Sequence, residues 1–313
     1  MVKKLITLFV LLCPYLFIYA QPVSKEEVLI PESNQSIKMI GLQGGSFTMG
    51  SNTSLNQHEK PKRQVQVSPF SIGVYEITHD QFDIFFKDEE ISQGSKADAI
   101  TRPTPQYIDL SWNMGKEGGF PANSMSVDAA MMFCRWLYHK TGKFFRLPTE
   151  AEWEYACRAG TQTAYFYGDG PEKLGQYAWY KLNSQEKYQK VGMKKPNPWG
   201  LYDMMGNVAE WTMDQYDQEY LKKTLTNEKD KIILPVSRYP RSIRGGSYMD
   251  DAKKLRSFSR QFSETSWNKR DPQLPKSRWW LTDGMFVGFR IVCPANQPTQ
   301  EEAEKLYKLY LGN

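Results

Sequence analysis

Histidine and cysteine are scarce in this chain of 313 residues, which has 3 of the former and 4 of the latter. His58, His79 and His139 are scattered, and no Cys and His fall at close metal-ligand spacing. A zinc centre or a His-based triad therefore has little to be built from, and each histidine reads as a surface or capping residue. Net charge is also small, at +5. It drops to +3 when Lys3 and Lys4 are set aside, too little to argue for nucleic acid. After the first 20 residues no apolar run could span a bilayer. Between Gly160 and about Pro294 there is almost no long periodic segment.

The beginning of the chain reads as a secretory leader over residues 1–20. Lys3 and Lys4 give a basic start, Leu5 to Tyr19 is almost wholly apolar, and Ala20 supplies a small residue before Gln21-Pro22. An apolar stretch of roughly 15 residues falls short of the ~20 needed to cross a membrane. Cys13 follows the bulky Leu12, so no lipid anchor is expected. Export implies an oxidising compartment, in the periplasm or at an outer membrane. Cys134, Cys157 and Cys293 remain after the leader, and an odd count allows at most one internal bridge plus a free thiol.

Aromatics are abundant: 14% of the chain, with 9 Trp and 18 Tyr. That density predicts a packed, loop-rich fold where the missing periodicity would otherwise suggest disorder. Residues 21–37 read as a polar, flexible lead-in. Met39 to Met49 reads as a strand interrupted at Gly44-Gly45, 51–68 as a surface loop, and Phe70 to Ile77 as a second strand. Thr78 with Gln81 three residues on predicts a capped helix carrying Phe82, Phe85 and Phe86. Residues 88–121 read as loop. Ser126 predicts a second cap, with Ala129, Ala130, Phe133, Cys134 and Leu137 on one face. Phe144 to Leu147 reads as a short strand. Thr149 with Glu152 forms a capping box for a third helix. Residues 214–240 read as a polar surface insertion. The tail, 296–313, holds an amphipathic helix with Ala303, Leu306, Tyr307 and Tyr310 on one side. It either docks on its own domain or binds a partner.

Six segments carry a family resemblance, in order. They are Gly44-Gly45-Ser46-Phe47-Thr48-Met49-Gly50; Tyr75-Glu76-Ile77-Thr78 with Gln81-Phe82; the run from Arg146 to Ala156; the run from Gly200 to Trp211; Arg244-Gly245-Gly246-Ser247-Tyr248; and Gly288-Phe289-Arg290. Together they resemble the formylglycine-generating enzyme, or sulfatase-modifying factor, family over residues 38–295. The resemblance implies an α+β fold of C-type-lectin-like topology with little regular structure.

Members of that family that oxidise a sulfatase cysteine hold copper on two cysteines just after the Gly-Gly-Ser-Tyr turn. The matching positions here are Asp250 and Leu255. Copper(I) prefers thiolates, so no copper is expected and formylglycine synthesis is not. The iron-dependent branch needs a His-rich helical domain that this sequence does not display. Asp250 and Asp251 leave open an enzyme of altered, carboxylate-based chemistry. By the resemblance, the Asp203 and Glu210 side chains and the Gly206 and Val208 carbonyls would hold a structural Ca²⁺. Cys134 and Cys293 would match a family disulfide, and Cys157 would stay buried and unpaired.

A narrower similarity covers Trp267 to Gln273 and Pro275 to Asp283. It resembles the GldK- and GldJ-type gliding-motility proteins of type IX secretion. Trp267, Arg278, Trp279 and Trp280 have interface composition, and read equally well as core beside Phe286 and Phe289. The leading expectation is thus a non-catalytic exported module that binds other cell-envelope proteins. An altered enzyme and a carbohydrate or surface-ligand binder are the alternatives.

Overall fold

The computed structural model describes residues 24–88, 103–106 and 108–312. The leader and Cys13 lie outside the described residues. Strands β1 (Ser24–Leu29) and β2 (Ser36–Leu42) open the fold as an antiparallel hairpin. This corrects the flexible lead-in expected over 21–37 as far as residues 24–37 are concerned, while 21–23 lie outside the described residues. Val28, Ile30 and Ile37 point inward at 6%, 1% and 3% exposure, while the intervening acids and lysine face solvent and mask the pattern. Strand β3 (Gly45–Met49) pairs with β4 (Arg63–Val67). The stretch 51–68 is therefore not all loop, because Val65 and Val67 bury the inner face of β4.

Strand β5 (Phe70–Gly73) leads into helix α1 (His79–Lys87), whose Thr78–Gln81 capping box is formed in both directions. Helix α2 (Val127–Thr141) starts at Ser126, whose Oγ accepts from the Ala129 amide, and ends at left-handed Gly142. Helix α3 (Glu150–Arg158) starts at the Thr149–Glu152 capping box. Arg146 shields that box by donating to Glu152 at 2.6 and 2.7 Å. The strand expected over Phe144 to Leu147 shrinks to one bridge, Arg146 to Val292.

The second half supplies β6 (Ala209–Gln215), α4 (Tyr220–Lys223), β7 (Glu228–Lys229), β8 (Arg241–Arg244), β9 (Gln261–Phe262), β10 (Val287–Gly288), β11 (Val292–Pro294) and α5 (Gln300–Leu311). Three sheets result, ordered β1-β2-β5-β11, β10-β6-β8-β9 and β3-β4-β7. The 214–240 segment is only partly surface, since Tyr220 and Leu221 are fully buried and β7 adds to β4. One core lies under α1, α2 and α5, centred on Phe82, Phe85, Phe133 and Phe289. The other joins α3 to β2 and β5 around Trp153, Tyr155 and Phe70. Each such ring, fully buried, stabilises by about 1.5–3 kcal/mol before entropy is charged.

The tail docks on its own domain. Tyr307 donates to the Phe145 carbonyl at 2.6 Å, and Arg135 of α2 pairs with Glu304 at 2.8 Å. Trp279 and Trp280 are core residues at 5% and 3% exposure. Trp280 donates to the Thr104 carbonyl at 2.7 Å and packs edge-on to Phe82 and Phe86. Arg278 lies 4.9 Å over the Trp279 ring, pairs with Asp128 at 2.6 Å and donates to the Leu311 carbonyl. Half-buried Trp267 packs on Trp211 and Phe286. Trp279 and Trp280 are thus pegs of the fold, which corrects their reading as a partner surface: Trp279 lies outside any strand, so the pair need not alternate.

Candidate functional site

The Gly245-Gly246-Ser247-Tyr248 turn leaves β8 directly after Arg244, on a wholly buried charged base. Arg244 Nη1 lies 3.2 Å from Glu150 Oε2, and its Nη2 donates to Glu154 at 2.5 Å and to the Ser257 carbonyl at 3.0 Å. Arg260 clasps Glu150 with two bonds of 2.7 Å, and Arg158 donates to Glu154 at 2.9 Å. Burial pushes the Glu150 carboxyl up, but Arg260 and Arg244 outweigh it and hold it below the usual range. Asp214 takes the Glu150 and Ile233 amides at 2.7 and 2.8 Å. Burial and the nearby Glu150 charge push its carboxyl up to about 7.

Gly246 has φ +67°, and a Cβ there would lie 2.8 Å from Leu255 Cδ1. The turn therefore closes against Leu255, which has no exposed surface and belongs to the core around Trp153 and Met204. Asp250 Oδ2 accepts from the Ser247 amide and hydroxyl, both at 2.9 Å, and Oδ1 accepts from Lys254 at 2.8 Å. Asp251 is exposed and pairs with Lys181 at 3.5 Å. The two positions that the resemblance matches to copper-binding cysteines are thus a core contact (Leu255) and a turn brace (Asp250). Asp250 and Asp251 do not form a carboxylate pair poised for acid–base work.

Cys134, Cys157 and Cys293 are free thiols, so the expected Cys134–Cys293 bridge is not formed. Cys134 is enclosed in the core of α2, whereas Cys293 Sγ sits 3.4 Å from the Gln297 side chain. Cys157 is buried and unpaired as expected, and burial pushes its thiol up to about 12. Burial raises Cys134 and Cys293 also.

Beneath the turn lies a second buried cluster. Arg290 binds Glu210 through Nε at 2.7 Å and Nη2 at 2.8 Å, and Trp153 Nε1 donates to Glu210 Oε2 at 2.8 Å. Glu76 accepts from Asn207 Nδ2 and the Val208 amide, both at 3.2 Å. Asp203 Oδ2 accepts from the Gly192 amide at 2.7 Å, while its buried Oδ1 has no hydrogen-bond partner. Glu76, Asp203 and Glu210 face a single guanidinium. Burial and mutual repulsion push Asp203 up to about 6 and Glu76 well above its usual range.

The resemblance places a cation here, and the residues fit one in part. Asp203 offers its unpartnered Oδ1. The bonds from Arg290 and Trp153 leave about one lone pair of the roughly four on Glu210. Among the described residues no three His, Cys, Asp or Glu side chains converge as a ligand set, so carbonyls such as those of Gly206 and Val208 would have to complete the site. Glu76 and Arg290, prominent in this cluster, stood in the sequence only as letters of motifs. Their convergence needs β5, β6 and the Gly288-Phe289-Arg290 segment to meet.

A sequence-family model described as "Sulfatase-modifying factor enzyme 1-like domain" matches residues 25–273. The formylglycine-generating enzyme of Mus musculus is 29% identical over 256 residues, covering 68% of this chain and 66% of that enzyme. The chain thus spans just under two thirds of that relative. The inactive C-alpha-formylglycine-generating enzyme 2 of Bos taurus is 28% identical over 225 residues, covering 59% of this chain and 73% of its own. Chaperone protein LppX of Paenibacillus barcinonensis is 30% identical over 205 residues, 55% of this chain and 70% of LppX. The solved Treponema denticola variable protein 1 shares the fold, with TM-score 0.66 and 23% identity over 88% of this chain and all of that one. Among the described residues no helix is long and apolar enough to cross a membrane. The chain belongs to the sulfatase-modifying factor family.

Proposed function

We propose that this chain is an exported, non-catalytic member of its family that works by binding other proteins of the cell envelope. The observation that carries the reading is the fate of the two copper-cysteine positions. Asp250 is used up as a turn brace and Leu255 is sealed in the core, so no thiolate pair is available to hold copper(I). Relatives described as inactive and as a chaperone are compatible with a scaffold that has exchanged chemistry for binding. The similarity around Trp267 to Asp283 makes a gliding or type IX secretion assembly the first setting to examine. Cross-linking the tagged protein in its native envelope, followed by mass spectrometry, tests this. Recovery of outer-membrane secretion or motility components supports the reading, and recovery of the protein alone refutes it.

Calcium at Asp203 is part of the same proposal, as a brace for the cluster and not as a reactive centre. Its test is thermal: Ca²⁺ raises the melting temperature, a chelator lowers it, and Asp203→Ala removes the difference. A glycan-binding reading keeps one supporting observation. A groove of about 290 Å³ is lined by Phe47, Tyr155, Trp199, Thr48 and Gln64. A glycan array without hits removes that second reading.

A further inference from the structure

We infer that the loop from Glu172 to Lys195 is the docking face for an acidic, partly apolar peptide segment of a partner protein, an inference that rests on the protein-binding reading above. This stretch has six lysines, no arginine and only two acids, Glu172 and Glu186. Among the described residues only Lys181 of the six has a carboxylate within ion-pair distance, and Lys194 feels a nearby carboxylate, the buried Asp203. Elsewhere lysines are commonly matched, as at Lys223–Asp217 and Lys254–Asp250. The concentration of unmatched positive charge is therefore local and not a reflection of the net charge of the chain.

The charge is mounted on a held surface. Lys194 lies 3.8 Å over the Trp179 ring and donates to the Gly175 carbonyl at 2.7 Å. Lys195 joins the same two stretches, through its amide to the Gln176 carbonyl at 3.0 Å and its ammonium to the Gln176 side chain at 3.2 Å. Between them opens a shallow groove of about 510 Å³, walled also by Met193, Pro196 and Tyr202. Met193 is 60% exposed and Leu182, farther along the loop, 79%. The loop is stapled to the Gly-Gly-Ser-Tyr turn and its neighbours. Lys181 donates its amide to the Asp250 carbonyl at 3.1 Å, Ser184 Oγ donates to the Tyr248 carbonyl at 2.9 Å, and the Asn207 amide donates to the Trp179 carbonyl at 2.8 Å.

Irregular backbone fixed at both ends presents its groups with little ordering cost on binding. Lysine ammoniums around an open groove suit dispersed carboxylates. Planar bidentate recognition of phosphate more often recruits arginine, which is absent here. Exposed Met193 and Leu182 supply sites for apolar side chains between the acids. Charge complementarity of this kind speeds encounter and selects the partner, and salt weakens it.

The test is fluorescence anisotropy on the full mature chain. The probe is a fluorescein-labelled, Glu-rich peptide with Leu and Phe interspersed, compared with its Gln counterpart. The Glu peptide is expected to bind and the Gln peptide not, with affinity falling about tenfold or more as salt rises from about 0.05 to 0.3 M. The triple variant Lys187→Glu, Lys190→Glu, Lys195→Glu, whose altered side chains are all exposed, is expected to abolish binding with an unchanged melting curve. Lys305→Glu with Lys308→Glu on α5 is expected to leave binding intact. Equal binding of both peptides, or of the triple variant, overturns the inference, as does tighter binding to a phosphopeptide or to anionic vesicles. Envelope cross-linking separates this from the broader reading. If wild type captures partners and the triple variant captures the same ones, the face is wrong and the binding role stands. If wild type captures nothing, the binding role itself has failed.

Discussion

Replacing Leu255 by Ala should unfold this protein's central turn more than its place beside a loop suggests. By the family resemblance Leu255 stands at a copper-cysteine position, yet its side chain is fully enclosed. Its Cδ1 would be only 2.8 Å from a Cβ at Gly246, and its Cδ2 3.2 Å from one at Gly206. Buried Leu→Ala changes cost about 2–5 kcal/mol, and the cost rises where surroundings cannot collapse into the gap. Here the neighbours are two left-handed glycines whose backbones are fixed. The Gly206 amide donates to the Gly245 carbonyl at 3.1 Å. The upper part of the range, about 3–5 kcal/mol, is therefore expected. At about 2–4 °C per kcal/mol for a large domain, the melting temperature falls by roughly 6–20 °C. Scanning calorimetry or urea unfolding reads this directly. Leu182→Ala, at a side chain 79% exposed, is the control and should cost at most about 0.5 kcal/mol. Equal losses for the two variants would mean that position 255 is open to solvent, as in a working site, and the reasoning would be wrong.

Glu150→Ala strands Arg260 and Arg244 in the interior and should cost about 3–5 kcal/mol in the same unfolding assay; a loss under 1 kcal/mol would deny the network its role. Asp214, with its carboxyl pushed up to about 7, binds its proton more tightly folded than unfolded. Its contribution is thus fully present below the ordinary carboxylate range near 4 and is lost as pH rises through about 7. Stability should decline across that window in pH-dependent urea melts, and Asp214→Asn should flatten the slope even while lowering stability overall. Thiol labelling of the native protein should reach half-buried Cys293 first and Cys134 and Cys157 only on unfolding. An intact mass lower by two hydrogens after air oxidation would instead reveal a bridge.

Much of the framework was legible because helix starts are written locally. Thr78 with Gln81, Ser126, and Thr149 with Glu152 each announce a cap within four residues, and all three caps form. The six ordered motifs pointed to the family for the same reason, as each is local in sequence. Legibility failed where partners lie far apart in sequence. β1 hides its inward Val28 behind Lys25, Glu26 and Glu27, and its pairing with β2 becomes visible only as a hairpin. Trp279 and Trp280 have the composition of an interface, and nothing nearby reveals that Phe82, Phe86 and Thr104 close over Trp280. Arg244, Glu150 and Arg260 span 110 residues of sequence; each alone reads as an ordinary surface charge. The cysteines mislead similarly, since a family pairing inferred from position ignores the core that encloses Cys134.

Turnover reads the loss of the copper-cysteine chemistry most directly. The purified protein, supplied with copper(I) and oxygen, is incubated with a cysteine-containing sulfatase-type peptide, and the peptide mass is followed. Unchanged peptide and no tight copper(I) binding are expected, since by the family resemblance Asp250 and Leu255 stand where the thiolates would be. Conversion of the peptide cysteine to formylglycine would contradict it.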